Sequence, residues 1–397
     1  MSTAVMTNRL ELTSVADTAL KAAARFWFAV ILISQLIFAF SVGSFYGLTV
    51  LRGDYHAWKF TNGYVPGVTK GNWAVLMHVF SAAVVMLAGA VQLVPQVRKR
   101  FPAFHRWDGR IYMLTAVALS VAGLYMTWIR GSVGDIPQHL GSTMNAFLIW
   151  LCAALALRYA LARDFATHRR WALRLYLVVS ASLFIRAGLF LSLALNHGPF
   201  GFDPSTFRGP FLTFLAFAQT LLPLAVLEIY LWAQDRPGTL RRLATAGMLF
   251  VLTLVMGAGL FAVAMAQWVP QVRAAYDPRT SIAETLSATI ASSGIDAAEK
   301  QYHDLKAAAS PSYNFEEGEL NALGYRLIAA RKFKQAIRIF QLNVEAYPQS
   351  SNVYDSLGEA YLDDGNNPQA IANYKKSLEL NPKNRGAASV LARLNAP

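Results

Sequence analysis

The chain has little charge and almost no cysteine. Only 15% of its 397 residues are Asp, Glu, Lys or Arg, whereas 55% are hydrophobic, and the mean hydropathy is +0.33. This composition excludes an ordinary soluble enzyme and indicates a membrane protein. The single cysteine, Cys152, excludes an internal disulfide, a thiolate zinc site and an iron–sulfur cluster. The sequence also lacks a nucleophile paired with a base and a phosphate-binding loop, so hydrolytic and nucleotide chemistry has no support.

The positive charge is confined to the apolar part of the chain. Residues 1–270 contain 22 Lys and Arg against 9 Asp and Glu, whereas residues 271–397 contain 14 of each, for a net charge of +13. Basic loops between spanning helices follow the positive-inside rule. The excess of positive charge therefore indicates how the chain is oriented in the membrane, and we expect no nucleic-acid partner.

Hydrophobic runs of about 20 residues, the length that crosses a bilayer, occur seven times. They predict transmembrane helices near residues 26–48, 73–95, 111–129, 139–157, 175–195, 211–233 and 246–269. Together they predict a transmembrane domain over residues 26–270. The preceding residues 1–25 have none of the features of a removable signal peptide, so we expect them to form a cytoplasmic segment.

Orientation follows from the basic residues of alternate loops. The loops after the second, fourth and sixth helices hold thirteen Lys and Arg, and the opposite loops hold five. Because basic loops stay on the cytoplasmic side, we expect a cytoplasmic N-terminus in a bacterial inner membrane. Seven spans then place the C-terminal part in the periplasm or outside the cell.

After Pro270 the sequence repeats itself at an interval of 34 residues, which is typical of tetratricopeptide repeats. The first set of matching residues is Leu323, Gly324, Ala336, Phe340 and Pro348. The second set is Leu357, Gly358, Ala370, Tyr374 and Pro382. The pattern predicts a repeat domain over 271–397, with a degenerate hairpin at 281–308, repeats at 317–350 and 351–384, and a capping helix at 385–394. Such a domain either only stabilises the chain or binds a protein or peptide partner.

Four histidines near the predicted helix ends form two sets. His105 and His168 precede the third and fifth helices, and His78 and His139 lie on the second and fourth helices towards the opposite face. One imidazole from each of two facing helices is the ligand set of a low-spin haem iron. The pattern therefore predicts up to two b-type haems, with these four histidines as iron ligands and an electron path across the membrane.

Basic and aromatic residues surround the His105 and His168 motifs. The segments FHRWDGRIY at 104–112 and THRRWALRLY at 167–176 share this pattern. Their arginines suit haem propionates, an anionic quinone or a lipid head group. The tyrosines of the two segments would complete the lining of the site. Gln92, at the end of a stripe of small residues on the second helix, would also face it. These residues are Arg106, Arg110, Arg169, Arg170, Arg174, Tyr112, Tyr176 and Asp108. The alternative is a membrane-interface anchor, with Trp at head-group depth and Arg facing phosphate.

Arg186 lies near the middle of the fifth predicted helix, and Glu228 lies in the sixth. A lone Arg at that depth costs on the order of 3 kcal/mol, so it needs a partner inside the bundle. Glu228 is the expected partner. Arg186 also follows His168 by eighteen residues, five full turns, which predicts one shared helix face. A structural ion pair and a ligand or proton pathway both stay open.

The chain resembles a family of bacterial multi-spanning membrane proteins of unknown function. The resemblance covers about residues 73–233 and is carried by the His78 helix, HRWDGRIY at 105–112, HRRWALRLY at 168–176, Arg186, and Pro223 with Glu228. It implies no established activity. The chain is also similar, more loosely, to transmembrane di-haem b-type cytochromes. That similarity implies iron ligands from the second helix with the fourth and from the third with the fifth.

Together these features predict an all-α protein, a seven-helix transmembrane bundle followed by a tetratricopeptide-repeat solenoid. One functional hypothesis is a haem protein that passes electrons across the membrane, at most a membrane oxidoreductase. The competing hypotheses are a cofactor-free membrane anchor or sensor that works through its repeats, and a small transporter or quinone-binding protein.

Overall fold

The computed structural model describes residues 3–48, 51, 69–196, 198–204, 206–277 and 279–394. The chain divides into two compact units, residues 1–276 and 277–397. Both are helical, which confirms the expected all-α architecture. Within the described residues, the only paired strands are the two-residue β1 (Thr280–Ser281) and β2 (Tyr313–Asn314), which run parallel.

The first unit is built from long apolar helices. Their bounds are α1 (Thr3–Val42), α2 (Thr69–Gln92), α3 (Pro95–Arg100), α4 (Pro102–Tyr125), α5 (Ile136–Leu161), α6 (Phe165–Val179), α7 (Ala181–Asn196), α8 (Pro210–Asp235), α9 (Thr239–Val263) and α10 (Val269–Tyr276). π-Helical turns extend α1, α4 and α9, at Gly43–Gly47, Met126–Gly131 and Ala264–Trp268. Among the described residues, six helices are long and apolar enough to span a membrane, or seven if α6 and α7 form one bent span.

The fifth predicted helix is broken in two at Ser180. Its halves, α6 and α7, meet at 47°. The Ser180 hydroxyl donates to the Tyr176 carbonyl, four residues earlier, at 2.7 Å. A hydrogen bond of this kind from a serine to its own helix often bends the helix. The bend interrupts the helical period, so the expectation that Arg186 and His168 share one continuous helix face is wrong.

Several helices begin earlier than their hydrophobic runs. Pro102 occupies the first turn of α4, and the Asp164 side chain caps α6 by accepting from the Thr167 amide. His105 and His168 therefore lie inside the first turns of helices, not before them. Residues 1–25 are also not a separate segment, because α1 begins at Thr3 and buries Leu20 and Ala23 against α8 and α9.

The main core of this unit lies where α1, α2 and α4–α9 meet. Its packed pairs are α1 with α9, α2 with α4, α5 with α6, and α7 with α9. The fully buried side chains include Val85, Ala116, Val178, Leu183 and Val263. Small residues such as Ala116 allow these helices to approach closely, as is usual where lipid surrounds a bundle.

The second unit stacks helical hairpins. Its helices are α11 (Ile282–Ser293), α12 (Ile295–Ala307), α13 (Glu317–Ala329), α14 (Phe333–Ala346), α15 (Ser351–Asp363), α16 (Asn367–Leu380) and α17 (Arg385–Leu394). The repeated glycines sit under the repeated aromatic rings. A Cβ at Gly324 would lie 2.4 Å from the Phe340 ring, and one at Gly358 would lie 3.2 Å from the Tyr374 ring. This close packing explains why Gly and an aromatic recur together.

Candidate functional site

One end of the bundle, where α2 ends and α4 begins, carries His105. We call it the His105 end. Gln92 of α2 joins the two helices, because its Nε2 donates to the His105 carbonyl at 2.8 Å and to the Asp108 carboxylate at 2.7 Å. The His105 Nδ1 is buried and has no hydrogen-bond partner among the described residues. The Gln92 side chain thus holds the backbone of His105 against α2, and the ring of His105 keeps a buried nitrogen without a hydrogen bond to a described residue.

His168 lies at the same end, in the first turn of α6. Its Nδ1 lies 2.8 Å from the Ala156 carbonyl of α5. Since a carbonyl only accepts, Nδ1 is the donor, and Nε2 of the neutral ring keeps its lone pair. A backbone carbonyl fixes metal-bound histidines in the same way. His105 and His168 both lie in the first turns of their helices and influence each other electrostatically.

His78 and His139, the other predicted pair, each contact different neighbours. The His78 ring faces α4, with Cε1 3.6 Å from the Cβ position of Gly123. The His139 ring packs on Trp128 at 5.5 Å, and its Nε2 lies 3.4 Å from the Ser132 hydroxyl. No contact joins the two imidazoles in the described part of the chain. A second haem between these two histidines stays a prediction.

Two tyrosines fill the space next to the His105 end. Tyr112 is 5% exposed and Tyr176 is 2% exposed. A Cβ at Gly89 would lie 2.8 Å from the Tyr112 ring and 3.3 Å from the Tyr176 ring. The small-residue stripe of α2 thus accommodates the rings of two neighbouring helices. The Tyr112 hydroxyl has no hydrogen-bond partner among the described residues.

A buried polar network extends from Tyr176 to α1. The Tyr176 hydroxyl donates to Gln35 Oε1 at 2.8 Å, and Gln35 Nε2 donates to the Ser180 hydroxyl at 3.0 Å. Gln35 and Ser180 are both 1% exposed. The sequence analysis did not single out either residue. The one available signal was a glutamine inside the first hydrophobic run, since a polar side chain there needs a partner.

Three of the five arginines of the two motifs contact other side chains of the protein. Arg174 stacks on Trp171 at 4.7 Å, and Arg110 stacks on Trp107 at 4.8 Å, both three residues along their helices. Arg170 pairs with Asp235 at 2.7 Å. Arg106 and Arg169 are exposed. Arg170 and Arg174 thus already engage carboxylates, which leaves Arg106, Arg110 and Arg169 for an external anion.

Glu228 binds Arg174 and not Arg186. Arg174 Nε lies 2.8 Å from Glu228 Oε1, and its Nη2 lies 3.0 Å from Oε2. Arg186 instead donates from Nη1 to the Ser182 carbonyl of its own helix at 2.8 Å and lies 5.5 Å from the centre of the Phe38 ring. The predicted Arg186–Glu228 pair is wrong, because Arg174 on α6 lies nearer the depth of Glu228 on α8.

The second unit carries three carboxylates on one face of α15. Asp355, Glu359 and Asp363 follow each other at intervals of one helical turn. Glu359 accepts from the Tyr325 hydroxyl at 2.8 Å, and Asp355 accepts from the Asn384 amide at 3.0 Å. Burial raises the pKa of all three carboxyl groups, and the charges of Asp363 and Asp355 raise that of Glu359 further.

No described Lys, Arg or His lies within ion-pair distance of these three carboxylates. The ion pairs among the described residues of the unit involve other carboxylates. These pairs are Arg279 with Asp277 and Glu316, Arg326 with Glu284, Arg338 with Asp296 and Glu299, Lys376 with Glu379, and His303 with Glu345. Groups of three or more His, Cys, Asp or Glu arranged to hold a metal ion do not occur in the described part of the chain. We call Asp355, Glu359 and Asp363 the acidic face.

Two family models match the chain. The one described as "Predicted membrane protein (DUF2306)" matches residues 75–220, and the one described as "SHNi-TPR" matches residues 351–384. The first region includes His78, His105, His168 and Arg186, and the second is α15 with α16. No curated protein and no solved structure matches the chain. This is therefore a membrane protein that combines a DUF2306 region with a C-terminal tetratricopeptide-like domain for protein interaction.

Proposed function

We propose that the protein is a membrane-anchored adaptor that holds a partner protein at the bilayer through the acidic face. The observation that carries this proposal is the set of three one-turn-spaced carboxylates on α15, none of which forms an ion pair with another described residue. Their hydrogen-bond donors, Tyr325 and Asn384, are neutral, so the negative charge is retained. A Lys- or Arg-rich segment of a partner would relieve the repulsion among the three carboxylates.

The test is site-specific photo-crosslinking of the full-length protein in its native membrane. A photoreactive phenylalanine at the exposed Asn352, one turn before Asp355, is expected to capture a partner, and the same residue at the exposed Lys375 of α16 is the control. The captured partner should be released by the triple change Asp355→Asn, Glu359→Gln and Asp363→Asn. Equal capture from both positions, or capture that survives the triple change, contradicts the proposal.

A second candidate function rests on the tautomer of His168. The Nδ1 donation to Ala156 leaves Nε2 available as a ligand, and the buried Nδ1 of His105 is unpartnered. These two rings would hold the iron of one b-type haem at the His105 end, and Arg106, Arg110 and Arg169 would bind its propionates. The group would supply one-electron transfer. The Tyr112 and Tyr176 rings fill the space next to Gly89, so such a group would lie between them and the end of the bundle.

The measurement for this candidate is a reduced-minus-oxidised visible spectrum with a haem count, on detergent-purified protein expressed with ample haem. One haem per chain, lost in H105A and in H168A but kept in H139A, is the expected result. A colourless protein that releases a quinone into an organic extract would instead favour the quinone hypothesis. If the protein is colourless and releases no cofactor, only the adaptor function remains.

The orientation expected from the basic loops also belongs to the proposal. Thirteen basic residues against five place the N-terminus in the cytoplasm, and counting α6 with α7 as one span makes seven spans. The repeat domain then lies outside the cytoplasm, in a bacterial inner membrane. Because Cys152 is the single cysteine, C152A with a new cysteine at Lys300 or at Arg100 tests this. An impermeant maleimide should label the first site in intact cells but not the second.

A further inference from the structure

We infer that the groove between α2 and α4 binds a phospholipid whose head group ends in a primary ammonium. The groove has a volume of about 260 Å³. Its lining is apolar except for one carboxylate and consists of Val84, Leu87, Ala88, Val91, Ile111 and Asp108. An elongated apolar surface that ends at a single charged group suits a ligand with a hydrocarbon chain and a polar head. The acidic face takes no part in this binding.

The groove opens at the side of the bundle. Val84, Leu87 and Ile111 are 43%, 45% and 50% exposed, whereas Ala88 is 8% exposed. Both helices are long and apolar enough to span a membrane, so their exposed sides face acyl chains. Val84, Leu87 and Val91 follow each other on one face of α2 over about 10 Å. A lipid chain can therefore lie along this stripe.

The polar end of the groove offers an acceptor. Asp108 is joined to Gln92, which follows Val91, by a hydrogen bond of 2.7 Å from Gln92 Nε2 to Asp108 Oδ2. Asp108 Oδ1 accepts no hydrogen bond from a described residue. The ion pairs among the described residues of the membrane unit involve other carboxylates and are Arg170–Asp235, Arg174–Glu228 and Arg242–Asp17. A carboxylate beside an apolar groove is stabilised by a cation, which the head group would supply.

A quinone would find the wrong hydrogen-bond partners in this groove. Its carbonyl oxygens need donors, but both hydrogens of Gln92 Nε2 are used, one on Asp108 and one on the His105 carbonyl at 2.8 Å. An ionised Asp108 only accepts. A primary ammonium carries three N–H donors and forms a charge-assisted hydrogen bond with a carboxylate. The groove therefore favours an ammonium lipid over a quinone.

An arginine next to the groove suits the phosphate of the same head group. Arg110 forms no ion pair with a described residue, and its guanidinium stacks on the Trp107 ring at 4.8 Å. Trp107 lies one helical turn before Ile111, so the stacking draws the guanidinium towards the groove side of α4. Trp107 is 64% exposed, as is usual for a tryptophan at head-group depth. Asp108 and Arg110 thus match the two charges of a zwitterionic head group.

Native mass spectrometry of the delipidated full-length protein in detergent tests the inference. The probes are phosphatidylethanolamine, its N-methyl and N,N-dimethyl derivatives, and phosphatidylcholine, all with the same acyl chains. Binding should persist while one N–H remains and fall about tenfold for phosphatidylcholine, which keeps the phosphate but has no N–H donor. Equal binding of all four lipids overturns the inference. Displacement of phosphatidylethanolamine by an equal concentration of a short-chain quinone also overturns it and assigns the groove to a quinone.

Two variants separate the head group from the chain. D108N removes the charge and can still accept from the Gln92 amide, so it should bind phosphatidylethanolamine and phosphatidylcholine equally. L87W fills the groove and should lose both lipids. L151W is the matched control, because Leu151 of α5 is 49% exposed and is not part of the groove lining.

The surface position of Leu87 keeps the inference testable even if D108N does not fold. A preference for phosphatidylethanolamine that survives in D108N contradicts the role of the carboxylate. An equal loss of lipid in L87W and L151W contradicts the assignment of the groove.

Discussion

Arg174 holds Glu228 with two parallel hydrogen bonds, of 2.8 and 3.0 Å, and thereby ties α6 to α8. The guanidinium also lies flat on the Trp171 ring at 4.7 Å. Arg174 is 20% exposed and Glu228 is 52% exposed, so the pair lies at the edge of the bundle. A bidentate pair in this position fixes the geometry of two helices and contributes modestly to stability.

A double-mutant cycle should detect this pair. R174Q and E228Q are each expected to destabilise the bundle, with a coupling free energy of about 0.5–1 kcal/mol between them. R186Q and E228Q should show no coupling. Thermal or denaturant unfolding followed by tryptophan fluorescence provides the measurement. Coupling of Glu228 to Arg186 in place of Arg174 would contradict the assignment of partners.

The substitution G89A should destabilise the membrane unit by about 1–3 kcal/mol, because the new methyl group would lie 2.8 Å from the Tyr112 ring and force that ring to move. G247A is the matched control in another long helix, since a Cβ there meets nothing within 4 Å. The control should be neutral or slightly stabilising. A similar loss of stability in both variants would mean that helix propensity, not contact with the tyrosines, decides the effect.

The repeat unit offers a parallel test at Gly324. In G324A the methyl group would lie 2.4 Å from the Phe340 ring, which is 0% exposed and cannot move without opening the core. We expect a loss of roughly 2–3 kcal/mol, seen as faster amide hydrogen exchange in α13 and α14. G318A lies in α13 as well and its Cβ meets nothing within 4 Å, so its exchange should stay near that of the wild type.

The acidic face should make the repeat unit sensitive to pH. Burial and neighbouring carboxylates raise the pKa of Glu359 in the folded state above its unfolded value of about 4.3. The folded state therefore holds the proton more tightly. The stability that this group contributes is complete below the unfolded pKa and is lost as the pH rises through the folded pKa. The local stability of α15 should fall between acidic and neutral pH.

E359Q should remove this dependence. At pH 7 its α15 amides are expected to exchange roughly two- to fivefold more slowly than those of the wild type, whereas at pH 4 the two proteins should agree. The glutamine oxygen can still accept from the Tyr325 hydroxyl. E345Q is the control, because the Glu345 carboxylate is 63% exposed. Faster exchange in E359Q at pH 7 would show that the charge of Glu359 stabilises the repeats.

Much of the architecture follows from short-range patterns in the sequence. The hydrophobic runs predict the long helices, and the 34-residue interval predicts that Gly324 pairs with Phe340 as Gly358 pairs with Tyr374. The motifs at 104–112 and 167–176 also place His105 and His168 near helix starts, where the structure has them. These features depend on local chain geometry and on the length that a helix needs to cross a bilayer, so a single segment reveals them.

The partners of the buried polar groups were decided by tertiary structure. Depth along a helix suggested Glu228 for Arg186, yet Arg174 binds it. Gln35 and Ser180 gave no recognisable motif, although they link α1 to the bend between α6 and α7. Sequence determines how deep a residue lies and how apolar its helix is. Which side chains meet depends on which helices are neighbours and how each is rotated about its axis, and packing of the whole bundle sets both.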